Sequence, residues 1–244
     1  MSESPTHPEG NPEASLGANQ VPAQVQAQIH AVEQAQSPEA LMTAVQNLTT
    51  SQSGSAIPAL IAVFGYNNPA VSAIALRAVI GWQEAAVVPL ISQLDEYNYG
   101  ARAYSMRALA TIASGQSLEV LIKAATTDFA PSVRRAAAKG LGNLRWETLP
   151  SADPNHLPSD DPNADPNADQ DEAQRRVFAA LSSLCSDGDW SIRYAGVAGL
   201  QALATRVKEL GQTVMDFLNQ YQHQESDRSV RARIQLGVKE VSDK

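Results

Sequence analysis

The chain has 244 residues, 43% of them hydrophobic, with 26 acidic against 18 basic side chains and a formal charge of −8. That length can bury a sizeable core in one domain, while the negative balance argues against a nucleic-acid partner, because phosphate binding needs a basic footprint. The single cysteine, Cys185, excludes disulfides and cysteine metal clusters, no run approaches the ~18 apolar residues of a membrane span, and a reducing cytoplasm is the expected compartment.

Residues 1–20 hold Pro, Gly, Ser, Asn and Glu with almost no large apolar side chain. They contain neither the basic cluster nor the apolar run of a signal peptide and are expected to be a disordered tail. One repeat domain is expected over 21–244. Val21, Val25, Ile29 and Val32 sketch a short first helix. Ser37-Pro38-Glu39 then reads as a helix start, with an N-cap serine, proline at the first helical position and an acid in the first turn. Helix pairs follow: 57–64 with a second helix ending at Ile80, 87–94 with 101–112, and 117–125 with 133–144. The last two are 172–184 with 192–203 and 212–221 with 230–238.

The second helices share one face. Val133, Ala136, Ala137, Gly140 and Leu141 fall at i, i+3, i+4, i+7 and i+8. The same pattern starts at Val71, Ala101, Ile192 and Val230, so the anchors are 30, 32, 59 and 38 residues apart. A period in the thirties without strand-like alternation predicts an all-α solenoid of about five helix pairs. The residue after the anchor is Arg102, Arg134, Arg193 or Arg231 in four units, and six positions earlier stands Glu96, Asp128, Asp187 or Glu225. The first unit has Tyr66 and Ser72 instead. Acid, turn and arginine at this spacing resemble the HEAT-repeat pattern, which implies a stacking ladder for these eight residues. Glycines inside the second helices cost ~1 kcal/mol each in propensity, so close helix packing is their expected role. The last unit places Arg233 on the repeating face, which suits either a terminal repeat or a partner contact.

The 59-residue spacing hides an insertion. Glu147 to Ala173 contains eight acids, no Lys or Arg, and repeated Asp-Pro-Asn. Such a segment is expected to loop out unstructured over about 148–170. It lacks the glycine of a tight calcium loop. The four histidines, His7, His30, His156 and His223, are scattered without ligand spacing, and no metal site is expected. Cys185 beside Leu184 reads as a buried thiol.

Ten of the eighteen basic residues lie in or beside second helices, the helices that line the concave side of a HEAT solenoid. An acidic protein thus carries a cationic inner stripe at Arg77, Arg107, Arg135 and Lys139, bordered by Tyr97, Tyr99, Tyr104, Trp146, Trp190 and Tyr194. Arg107 and Lys139 occupy one equivalent position of successive helices, and Arg135 and Tyr194 another. Stacked equivalents stand about one helix diameter, ~10 Å, apart. Tyr97, Tyr99, Arg107, Arg135, Lys139 and Tyr194 are therefore the candidate substrate contacts, for a flat conjugated ligand with carboxylates or an acidic protein surface. A solvated charged face makes the same pattern.

Three runs carry a family resemblance: Gly65-Tyr-Asn-Asn-Pro69, Leu94-Asp-Glu-Tyr-Asn-Tyr-Gly-Ala-Arg-Ala103 with Arg107-Ala-Leu109, and Asp128 to Gly142. They resemble the phycocyanobilin lyases of cyanobacteria, E/F-type heterodimers of HEAT-like repeats, over about residues 35–240. The wording is closer to the F-type subunit, since the aromatic-rich repeat of the E-type partner does not occur. The resemblance implies attachment of phycocyanobilin, through a thioether, to a cysteine of the phycocyanin α subunit. It also implies an obligate E-type lyase subunit and no cofactor besides the bilin substrate. The His-Cys dipeptide of the isomerising relatives is absent, so isomerisation is not expected, and no catalytic residue maps onto the chain. The alternative function is a non-enzymatic HEAT adaptor that binds phycobiliproteins for assembly or degradation.

Overall fold

A computed structural model describes residues 21–150 and 167–242. The expected disordered tail and the middle of the acidic insertion lie outside these residues. The described residues form twelve α-helices: α1 (Ala23–Glu33), α2 (Pro38–Thr49), α3 (Ile57–Ala62), α4 (Pro69–Gly81), α5 (Val87–Ser92) and α6 (Tyr99–Ile112), then α7 (Leu118–Thr127), α8 (Pro131–Gly142), α9 (Ala168–Leu184), α10 (Trp190–Arg206), α11 (Gly211–Gln222) and α12 (Arg228–Ser242). There is no strand among the described residues. The architecture is the expected α-solenoid. Helices α3 to α12 form five antiparallel pairs, and α1 with α2 forms a sixth hairpin that packs its second helix on α4.

Local chemistry starts the second helices. The N-cap side chain of Asn68 accepts from the Val71 N–H at 3.3 Å, and that of Asn98 from the Ala101 N–H at 3.0 Å. Asp189 and Asp227 do the same for α10 and α12. Ala130 cannot cap α8, and Asp128 two residues earlier accepts the Ala130 N–H at 2.8 Å instead, with Pro131 at the first helical position.

Second helices α4, α6, α8, α10 and α12 stack side by side as one layer, and the first helices form the other. The core runs between the layers, through fully buried Leu60, Leu90, Leu109, Leu121, Leu141, Leu181 and Leu200. Each such side chain contributes roughly 1.5–3 kcal/mol. Four of the five repeating positions are buried or nearly so. The second of them, held by Ile74, Tyr104, Ala136, Ala195 and Arg233, is half-buried in every repeat. It is a seam, and that is why tyrosine and arginine fit there.

Helix α8 packs directly against α10, so the insertion between α8 and α9 leaves the stack continuous. The crossing is a contact of two glycines: a Cβ built on Gly142 would lie 2.5 Å from the carbonyl oxygen of Gly199. No described glycine has positive φ, so these glycines are kept for space. The insertion is narrower than the 148–170 expected from composition. At its start, Trp146 is buried in a 3₁₀ turn that ends at Thr148, and at its far end α9 has begun by Ala168. Leu149 also packs against the core, and the N–H of Gly115 donates to Thr148 Oγ1 at 2.6 Å, so the apolar residues at this edge dock.

Candidate functional site

The acid–arginine set forms a ladder whose rungs cross from one repeat to the next. Arg102 Nε lies 2.7 Å from Asp128 Oδ2, Arg134 Nη1 2.6 Å from Asp187 Oδ2, and Arg193 Nε 2.7 Å from Glu225 Oε2. Each arginine also ties down main-chain carbonyls. Arg102 Nη1 donates to Asp95 and Glu96, Arg134 Nε to Ala125, and Arg193 Nη1 to Asp187 and Gly188. Each receiving acid closes its own turn, as when Glu225 Oε1 accepts the Asp227 N–H at 2.7 Å. One guanidinium thereby sets the register of two turns. The Arg193 guanidinium holds the Glu225 carboxyl down to a pKa of about 2 against its burial, helped by the Tyr221 hydroxyl. The ladder has open ends. Neither the Glu96 carboxylate nor the Arg231 guanidinium has a partner among the described residues: position 72 is serine, and no described acid lies within ion-pair distance of Arg231.

The remaining predicted contacts divide into two groups. Arg107, Arg135, Lys139 and Tyr194 are exposed on the second-helix layer. The Arg107 guanidinium lies 5.1 Å from the Tyr104 ring centroid, and Tyr104 stacks on buried Phe64 at 5.6 Å. Arg135 donates to Ser191 Oγ at 2.8 Å. Through Ser191, which donates to Asp189 Oδ1 at 2.8 Å, Arg135 is linked to a carboxylate at one remove. The ladder arginines 102, 134 and 193 and also Arg145, Arg175 and Arg176 are paired with carboxylates, whereas Arg77, Arg107, Arg135 and Lys139 have none within ion-pair distance among the described residues. Arg233 does not face outward. It lies 6.0 Å from the Tyr194 ring and bonds Gln201, so it is spent inside the chain.

Tyr97 and Tyr99 belong to the second group, on the turn edge. Tyr97 is 91% exposed and Tyr99 57%, and Tyr99 meets the ring of Phe129 edge-on at 6.4 Å. No ring or hydrogen-bond contact joins them to Arg107, Arg135 or Lys139. Trp146, grouped with the stripe on sequence grounds, is buried on the opposite edge beside Gly115. Phe129 was missed, although it stands four residues before its anchor just as Tyr97 does. Phe64 and Ser191 were missed because they sit outside the repeating face. The Glu84–Arg145 ion pair was missed because it joins residues 61 apart with no periodic signal.

A hollow of about 760 Å³ between α7 and α9 is lined by Glu119, Glu147, Asp169 and Glu172 with Arg176. Arg176 is already held by Glu119 in two hydrogen bonds of 2.7 Å, so the hollow does not suit an anion. Cys185 is buried, and burial pushes its thiol up to a pKa of about 12. The nucleophilic thiolate is therefore absent at neutral pH, and this sulfur does not carry a covalent substrate. Native protein is expected to resist iodoacetamide for hours and to label stoichiometrically in 6 M guanidinium. Rapid labelling of the native fold, read by mass spectrometry, would show the pocket to be open. No group of His, Cys, Asp and Glu among the described residues is placed to hold a metal ion, and no helix there is long and apolar enough to cross a membrane.

Residues 87–155 match the family model for HEAT repeats. The chain is 46% identical over 208 residues, 85% of its length and 96% of the relative's, to a protein from Nostoc sp. PCC 7120 named phycocyanobilin lyase subunit beta. A protein of the same name from Thermosynechococcus vestitus is 43% identical, with 88% of this chain and 95% of that one covered. Among solved structures, the complex of CpcE and CpcF of phycocyanin lyase from Nostoc sp. PCC7120 matches with a TM-score of 0.66 at 47% identity, over 76% of this chain and 99% of that one. With identity at this level along almost the whole of each relative, on a solenoid whose second-helix face carries unpaired cations, the chain belongs to the family of phycocyanobilin lyase beta subunits.

Proposed function

We propose that this chain is the beta subunit of a heterodimeric phycocyanobilin lyase, which joins phycocyanobilin through a thioether to a cysteine of the phycocyanin α subunit. The observation that carries the reading is the 46% identity to a named beta subunit over 96% of that relative. The E-type subunit is its partner, the bilin is substrate, and no further cofactor is required. A buried free thiol and the lack of a membrane-spanning helix among the described residues fit a cytoplasmic enzyme.

The second-helix face supplies the site in this reading. Arg107 and Lys139, at equivalent positions of α6 and α8, engage the two propionates, and Arg135 and Tyr194 border them. The one cysteine, Cys185, is buried and does not serve as a nucleophile, so the contribution of the chain is to hold an extended bilin, exclude water from the reactive ethylidene and present it to the acceptor. Catalysis of this kind works by positioning. The same positive field favours the acceptor thiolate.

The experiment combines the chain with its E-type partner, free phycocyanobilin and apo-α-phycocyanin, and reads covalent attachment as zinc-enhanced fluorescence on a denaturing gel. The double variant Arg107→Glu/Lys139→Glu is expected to fold, pair with its partner and lose attachment by at least tenfold. Normal attachment by the folded double variant would remove the site from this face. A dark lane for the wild-type mixture would overturn the lyase reading itself.

A further inference from the structure

Arginines on this solenoid are aimed in two ways. Arg102, Arg134, Arg193, Arg145, Arg175 and Arg176 are each held by a carboxylate, which directs the guanidinium and also cancels its charge. Arg135 has Asp189 one hydrogen bond behind it, through Ser191. Arg107 is different. It is exposed and has no carboxylate within ion-pair distance among the described residues, yet its guanidinium lies 5.1 Å from the centroid of the Tyr104 ring, three residues earlier on the same face of α6. An aromatic face attracts a guanidinium through its quadrupole. Such a contact directs the side chain and leaves its full charge for another anion.

The ring that does this is itself fixed. Tyr104 stacks on Phe64 at 5.6 Å with the two planes 26° apart. Phe64 is buried in the 3₁₀ turn that follows α3, so the shelf is built from the preceding repeat. Tyr104 sits at the half-buried seam position, where the other repeats carry Ile74, Ala136, Ala195 and Arg233. Alanine fills this position in both α8 and α10, so stacking of the helices does not require a large ring there. The exposed cations Arg77, Arg107 and Lys139 share one position of α4, α6 and α8. Ile74 and Ala136, three residues before Arg77 and Lys139, offer those two no aromatic face. The one aromatic seam residue thus stands under the middle cation of the row.

We propose that Tyr104, seated on Phe64, is a positioning residue for bilin attachment: it aims Arg107 before the substrate arrives, so that one propionate is received at a fixed point. The proposal rests on the reading above that places the bilin propionates at Arg107 and Lys139. A long side chain that is already directed gives up little rotamer freedom when it takes a carboxylate, and the planar guanidinium fork then fixes the orientation of that carboxylate. Lys139, a flexible point charge without a shelf, follows the second propionate. One fixed and one adjustable cation give an extended ligand a defined direction along the helix layer.

The test measures attachment kinetics with the full chain, its E-type subunit and apo-α-phycocyanin while phycocyanobilin is titrated. Tyr104→Ile, which borrows the residue α4 carries at this position, is expected to raise KM for the bilin about fivefold, with kcat changed by less than about twofold and pairing unchanged. Tyr104→Met gives the same reading should the isoleucine variant not fold. Tyr104→Phe keeps the ring and is expected to restore the wild-type KM. Because Tyr104 acts through Arg107, the double variant Tyr104→Ile/Arg107→Gln is expected to have a KM no higher than Arg107→Gln alone, a non-additivity that loss of packing would not produce. A wild-type KM for Tyr104→Ile beside an impaired Arg107→Gln would overturn the proposal and leave the bilin site intact. Additive effects in the double variant would overturn it too, as would a phenylalanine variant as poor as the isoleucine one, which would move the role to the hydroxyl. A wild-type KM for Arg107→Gln would remove the bilin site from this face and the positioning role with it.

Discussion

Gly142→Ala is expected to lower the unfolding free energy by about 2 kcal/mol, although alanine is the better helix former by about 1 kcal/mol. The added methyl would sit 2.5 Å from the Gly199 carbonyl oxygen and 2.8 Å from its Cα. Both are backbone atoms that no rotamer change can clear. Helices α8 and α10 must therefore separate. Overpacking costs typically ~1–3 kcal/mol, and contact with a main chain belongs at the upper end of that range. Gly188→Ala is the control. Nothing lies within 4 Å of its Cβ position, and a change within about 0.5 kcal/mol is expected. Urea denaturation midpoints decide it, and equal losses at the two sites would mean that the α8–α10 crossing is not tight.

Arg193→Met is expected to cost about 3 kcal/mol, while Arg231→Met, at the equivalent position one repeat later, changes stability by less than about 0.5 kcal/mol. The Glu225 side chain is only 2% exposed in its pair with Arg193. Removing one partner of a buried pair strands the other charge, at ~3–5 kcal/mol. The Tyr221 hydroxyl and the Asp227 N–H still bond this carboxylate, which holds the loss to the lower end. Arg231 is exposed and ends the ladder without an acid. The pair also sets a pH signature. Glu225 has a folded pKa of about 2 against an ordinary 4.5. A depressed carboxyl contributes stability that is complete above the unfolded pKa and is lost as pH falls through the folded one. The wild type is thus expected to weaken from about pH 4.5 down to about pH 2 more steeply than Glu225→Gln. Parallel profiles for the two proteins, or equal losses for the two arginine variants, would show that the rung carries no stability.

The sequence alone determined the fold class, the number and order of the helix pairs and which residues face the core. These follow from a local rule, the 3.6-residue period, repeated at anchors 71, 101, 133, 192 and 230. It also carried the family resemblance and the acid–arginine spacing. Only the tertiary structure decided the direction of the ladder. Spacing within a unit cannot show that Arg102 reaches Asp128, 26 residues on, since that depends on how one repeat is stacked upon the next. The same holds for the split between Tyr97 and Tyr99 on the turn edge and Arg107, Arg135 and Lys139 on the helix layer, which adjacency in the chain conceals. It holds for Trp146, whose burial comes from docking the start of the insertion at Gly115. Helical periodicity is encoded over a few residues, so it can be read in one dimension. Pairing across repeats, and the absence of a pair at Glu96, depends on side chains brought together by packing, and packing exists only in three dimensions.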